Sequence, residues 1–265
     1  MKLSMQFLLA MSFAAAMFFV ACSTDAEDKW DAAEVCPAEG MNAYGMPNRG
    51  TFVDERDGYE YKYTTIGNQV WMAENLQLKT EYSECYEYAE DMTEKCARYD
   101  NREYLMDYCR LYLTSCETTE CYEEEFCKIS GRYYNLVRNQ EEYGLLDRDI
   151  IDTLCPKGWH VPTKDEWIVL AEAAGGADNR ETEYRLRSDD KSFFTATFAG
   201  TNDCGFSAKP MGSKMRVCGS SLFSSILFGT STSETSNFIC LVSLAGDGPT
   251  PFGDARKVPI RCVKD

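Results

Sequence analysis

Histidine is almost absent: the 265 residues contain one, His160. A site built from several imidazoles is thereby excluded, as is a relay of paired histidines. Basic residues are in deficit, 27 against 43 acids, for a formal charge of −16. Phosphate contacts need basic patches, so no nucleic-acid partner is expected. No Cys-x-x-Cys pair occurs; the nearest spacings, Cys116 to Cys121 and Cys121 to Cys127, are too long for paired zinc knuckles. The patterns of serine hydrolases, zinc proteases, P-loop nucleotide binders and EF-hands are missing too. No cofactor and no metal ion is expected on these grounds.

Cysteine itself is plentiful. Thirteen of them, in a chain that is 44% apolar and 26% charged, point to an oxidising compartment. The start of the chain agrees. Lys2 is the only charge before Asp25, and Leu3 to Ala21 is almost wholly apolar. Residues 1–21 read as a secretory signal peptide; the alternative is a membrane helix, for which the length just suffices. The sequence Phe19-Val20-Ala21-Cys22 resembles a bacterial lipobox, which makes Cys22 the lipid-attachment residue. Residues 22–50 then read as a lipid-anchored tether and linker, polar and acidic to Asp31, with a loop pinned by Cys36. On this reading the protein is exported to the outer membrane or cell surface and meets the membrane through its acyl chains only. Those chains contribute about 0.8 kcal/mol per buried CH₂. Twelve further cysteines remain, an even number that suits a disulfide framework.

Local patterns place several elements. From Thr51 to Val70, aromatic and β-branched residues alternate with polar ones, which predicts a hairpin turning at Asp57-Gly58 and a second turn at Gly67-Asn68. Residues 81–127 hold fourteen acids, four bases, six cysteines and eight tyrosines without a clean apolar period. They predict loops and short helices held by disulfides. Gly131-Arg-Tyr-Tyr-Asn135 predicts a short strand. Thr163-Lys-Asp-Glu166 is a capping box. Trp167, Leu170, Ala171 and Ala174 follow it on one helical face, and Gly175-Gly176 ends the helix. Residues 188–262 predict short strands and long loops.

Four blocks stand in a fixed order: Gln69-Val-Trp-Met-Ala-Glu-Asn-Leu76, Gly131-Arg-Tyr-Tyr134, Cys155-Pro-Lys-Gly-Trp-His-Val-Pro-Thr-Lys-Asp-Glu-Trp167 and Gly205-Phe-Ser-Ala-Lys-Pro210. The chain ends in Arg261-Cys-Val-Lys-Asp265. Together they resemble the Fibrobacter succinogenes major paralogous domain, over residues 51–265. The third block and the Arg-Cys-Val ending are also similar to the formylglycine-generating sulfatase-modifying family, within the wider C-type-lectin-like fold. The resemblance implies an α+β domain with short strands, long loops and multiple disulfides, whose N- and C-terminal strands pair. It implies bridges Cys85–Cys96 and Cys155–Cys262. Residues 100–130 look like an acidic insertion carrying Cys109, Cys116, Cys121 and Cys127, a stapled lobe if these four pair among themselves. The family's Trp-Trp-Ser-Ser-Thr-like block is represented by Phe228-Gly-Thr-Ser-Thr-Ser-Glu234, with no tryptophan.

Catalytic readings are weak. His160 beside Trp159 reads as a hydrogen-bonded structural histidine rather than a general base. Asp165 and Glu166 are adjacent on a helix and do not face each other. Cys218 and Cys240 lack the motif of the oxidative pair in the formylglycine-generating relatives. Met46-Pro47-Asn48 lacks the acid of a calcium-dependent sugar site. No catalytic residue is therefore assigned. Tyr104, Tyr108 and Tyr112 have helical spacing in the acidic segment and are the candidate ligand contacts, although they serve equally to cover a small disulfide core. The reading is a non-catalytic surface lipoprotein whose recognition domain takes polysaccharide or other cell-surface material. A structural or assembly component contacting an envelope protein is the alternative, and a carbohydrate-active or oxidative enzyme a distant third.

Overall fold

The alternating segment folds into three consecutive antiparallel strands, β1 (Arg49–Val53), β2 (Glu60–Ile66) and β3 (Gln69–Met72). The computed structural model describes residues 29–85, 127–128, 131–136, 147–176, 179–190, 199–209, 226–231, 238–242, 250–251 and 258–265. Both predicted turns are present, with Gly58 at φ +75° and Gly67 at φ +56°, a conformation glycine adopts without a Cβ clash. The helices are α1 (Ala32–Val35), α2 (Arg148–Leu154), α3 (Lys164–Ala173) and α4 (Arg180–Leu186). Asp54 organises the first turn: its buried carboxylate accepts a fork from Arg56. Arg56 then donates to the Thr153 and Leu154 carbonyls at the end of α2. Burial alone would raise the Asp54 pKa, but the Arg56 hydrogen bonds hold it below its ordinary value.

The remaining strands are short: β4 (Ser83–Glu84), β5 (Tyr133–Tyr134), β6 (Trp159–His160), β7 (Ile226–Gly229), β8 (Phe238–Val242), β9 (Thr250–Pro251), β10 (Val258–Pro259) and β11 (Val263–Lys264). The central sheet runs β1-β2-β3-β11-β6, flanked by small sheets β10-β5-β4 and β7-β8-β9. All these strand pairs are antiparallel, so the architecture is mixed α and β with short antiparallel strands. The expected pairing of first and last strands is corrected. Among the described residues β1 bonds only β2, and β11 lies between β3 and β6, with Val263 opposite Trp71 and His160. The meander β1-β2-β3 leaves two open edges. β3 is apolar on both faces, so its edge is the one that can be buried.

The period of two sends side chains to both faces of this sheet. Tyr61, Tyr63, Val70 and Met72 join Tyr134, Ile150, Leu154 and Trp159 on one face. Ile66, Trp71 and Val263 join Trp167, Leu170, Ala174, Leu186, Phe206 and Phe228 on the other. Helix α3 forms as its sequence predicts. Thr163 and Glu166 make both bonds of the capping box, and Trp167, Leu170 and Ala171 are buried.

Three disulfides lie among the described residues: Cys36–Cys204, Cys85–Cys127 and Cys155–Cys262. The last is the cross-fold bridge that the resemblance implied. Cys85 pairs with Cys127 and not with Cys96, because β4 pairs with β5 and Cys127 lies shortly before β5 in the chain. Its carbonyl accepts the Gly131 N–H, which leaves the two Cα atoms 5.4 Å apart. Cys109, Cys116, Cys121 and Cys127 therefore do not pair only among themselves. Within residues 22–50, Cys36 is pinned by its bridge to Cys204. From Trp30 the chain packs on the domain: the indole N–H donates to the Ala173 carbonyl, and the Arg185 guanidinium lies 3.9 Å from the ring centre. The signal peptide, Cys22, Cys96, Cys109, Cys116, Cys121 and Cys218 lie outside the described residues, and Cys240 lies on β8.

Candidate functional site: a polar groove beside the central sheet

A groove of about 660 Å³ opens along β1 and β2. Arg49, Gly50 and Thr51 form one side, with Tyr59 just before β2 and Lys62 and Tyr63 on it. Glu74, Asn75 and Gln77 follow β3, Ser188 to Asp190 follow α4, and Gly205, Ser207, Lys209 and Arg261 close the floor. Segments far apart in sequence meet here because the Cys36–Cys204 bridge, separation 168, draws the 199–209 loop onto the start of β1.

Arg49 is set by that bridge. Its Nη2 donates to the Cys36 carbonyl at 3.1 Å and the Asp203 carbonyl at 2.7 Å. Its guanidinium lies on Gly205, where an added Cβ would sit 3.2 Å from the guanidinium carbon. Gly50 serves Tyr63 in the same way, since a Cβ there would fall 2.6 Å from the phenol oxygen. The far wall is braced by Asn202. Its Oδ1 accepts the Ser207 N–H, and its amide donates to the Ser207 hydroxyl and the Asp189 carboxylate. Asn202 and Ser207 both have φ near +54°, a strained conformation held by these bonds.

Arg261 is the buried centre of the floor. Nε and Nη2 donate to Asn75 Oδ1 at 3.0 and 2.7 Å, and Nη1 donates to the Phe206 carbonyl. The guanidinium carbon is 4.3 Å from the Phe206 ring centre and 5.0 Å from that of Phe228. Burial lowers its basicity, opposed by the longer-range charge of Glu74. Burial also lowers the pKa of Lys209, opposed by Asp190. Among the described residues, no carboxylate comes within ion-pair distance of Arg49 or Arg261. Lys62 is exposed at the groove, and its backbone N–H donates to Glu74.

His160 belongs to a different cluster. Its Nε2 is 2.8 Å from Glu166 and its Nδ1 is 2.8 Å from Asp265. The other Glu166 oxygen accepts the Thr163 N–H and hydroxyl. The Glu166 hydrogen bond raises the histidine pKa against partial burial, and Asp265 adds to it. Both ring nitrogens are thus engaged in structural bonds. Asp165 is exposed on α3. Asn48, of Met46-Pro47-Asn48, is buried and donates to the Glu39 carbonyl.

The family model described as the Fibrobacter succinogenes major domain matches residues 64–264. The chain belongs to this family. No curated protein matches it, and no solved structure does. Two of the four sequence blocks, with the chain ending, meet at the groove. The first supplies Glu74 and Asn75, the fourth Gly205, Ser207 and Lys209, and the chain ending Arg261. That convergence is the signal by which these residues could have been found, although sequence reasoning selected none of them as contacts. The chosen tyrosines, Tyr104, Tyr108 and Tyr112, lie outside the described residues. Among the described residues, no three metal-ligating side chains come together, and no helix is long and apolar enough to cross a membrane.

Proposed function

We propose that this major domain is a non-catalytic recognition module that binds polysaccharide in the groove. The observation that carries the reading is the groove's lining, where tyrosines, cations and carboxylates come together from the first and fourth blocks, the chain ending and the strands beside them. Carboxylates and amides accept sugar hydroxyls, cations donate to ring oxygens and acid groups, and tyrosine faces suit flat contacts. The short antiparallel strands and the disulfides support assignment to the C-type-lectin-like class. Fold alone does not establish a ligand, so the site carries the argument.

The lipobox-like Cys22 supports anchoring of this module at the outer surface through acyl chains, and the excess of acids argues against a nucleic-acid partner. A glycan array and an insoluble-polysaccharide pull-down with the full mature chain test the proposal. Retention that is lost on mutating groove residues supports it. No retention on any matrix, with cross-linking in cells to one dominant envelope protein, would move the domain to a structural role. Release of reducing sugar from a retained polysaccharide would make it an enzyme.

A further inference from the structure

The groove runs against the charge of the chain. The whole molecule carries −16, yet five of the groove's lining residues are cationic and three are acidic. The three acids are Glu74, Asp189 and Asp190. Glu74 holds the Lys62 N–H, and Asp189 accepts from Asn202.

The two arginines are held in an unusual way. A partly or fully buried guanidinium is ordinarily met by a carboxylate, because an unpaired charge in a low-dielectric site is costly. Here Arg49 is fixed by two backbone carbonyls, and Arg261 by the Asn75 amide oxygen, one carbonyl and two aromatic faces. Neutral acceptors orient a guanidinium without cancelling its charge. The Arg49 Nε is moreover buried without a hydrogen-bond partner. Two fixed positive charges therefore project a field into a concave site whose walls focus it. The surplus acids elsewhere act weakly here, since exposed charges are screened beyond roughly 8–10 Å at physiological salt.

Resting on the polysaccharide reading above, we infer that the groove selects acidic polysaccharides, whose uronic-acid carboxylates supply the anion that no described residue brings within ion-pair distance of Arg49 or Arg261. Lys62 and Lys128 are the exposed cations at the groove. Arg49 and Arg261 set the potential behind them. Glu74 and Asp189 are left to accept hydroxyls from the same sugars.

The test compares binding of the full mature chain to polygalacturonate and to neutral hydroxyethylcellulose at low ionic strength. Polygalacturonate should bind about tenfold tighter or better, and added salt should erode the difference. Lys62→Glu should weaken polygalacturonate binding by about fivefold or more. Lys157→Glu, an equal charge change at an exposed position outside the groove, should leave it unaltered. Equal binding of both polymers, sensitive to groove mutation, would overturn the acidic preference and leave the recognition reading standing. Polygalacturonate binding that Lys157→Glu weakens as much as Lys62→Glu would remove it from the groove. Binding of neither polymer, nor of any glycan on the array, would overturn the recognition reading itself.

Discussion

Trp167 lies face to face with Phe228, ring centres 4.9 Å apart and planes 17° from parallel. Helix α3 and strand β7 are joined by this contact, and the Phe228 ring also backs the Arg261 guanidinium at 5.0 Å. The block that often carries tryptophan in the family thus keeps an aromatic ring here, used as core beneath the groove. Phe228→Ala should destabilise the protein by about 3–5 kcal/mol, the usual cost of emptying a buried aromatic site. Urea unfolding followed by tryptophan fluorescence checks this. An unaltered midpoint would mean that the ring does not support Trp167.

Gly131 opens the Gly-Arg-Tyr-Tyr block at φ +87°. A Cβ there would lie 2.5 Å from that of Asn75, the residue that holds Arg261. Gly131→Ala should therefore cost about 2 kcal/mol or more, combining a disfavoured backbone with a steric clash. It should also weaken ligand binding through Asn75. Thermal unfolding and binding measured on one preparation would show both. A variant of full stability would contradict the close approach.

Helix α3 and both turns of the meander were legible because their causes are local: a box of two side chains three residues apart, and glycines at positive φ. The Cys36–Cys204 bridge was not, since 168 residues separate its ends and no periodicity relates them. The Cys85 pairing misled for a related reason. Its partner is chosen by the β4–β5 register, a tertiary fact, and the implied Cys96 is merely nearer in sequence. The groove is illegible residue by residue because its parts come from distant strands and loops. Its floor was nonetheless within the quoted blocks, whose polar members Asn75, Lys209 and Arg261 do not serve the apolar periodicity.

Non-reducing peptide mapping should recover Cys36–Cys204, Cys85–Cys127 and Cys155–Cys262 from the native protein. A Cys85–Cys96 peptide would restore the pairing that the resemblance implied and contradict the β4–β5 arrangement. The Cys155–Cys262 bridge closes a separation of 107 residues. Replacing both cysteines with serine should cost about 4 kcal/mol, chiefly through the unfolded chain. Equilibrium unfolding of the double variant measures it.

The His160 bonds to Glu166 and Asp265 make stability depend on pH in a defined direction. The histidine's folded pKa lies above its ordinary 6.5, because Glu166, and then Asp265, favour the charged ring. Its contribution is therefore complete below pH 6.5 and fades as pH rises through the raised value. Glu166 sets the lower limit. Burial would raise its pKa, but His160 and Thr163 hold it below its ordinary 4.5. That contribution is complete above 4.5 and is lost as pH falls through the lowered value. The difference in stability between the parent and His160→Gln should therefore be greatest between about pH 5 and 6.5 and shrink toward pH 9. Because the ring is half-exposed and screened, the effect should not exceed about 1 kcal/mol, or roughly 2–4 °C in Tm. A difference that is flat from pH 5 to 9 would show that the charged ring contributes nothing. A difference that grew toward pH 9 would show that the neutral ring is the stabilising form.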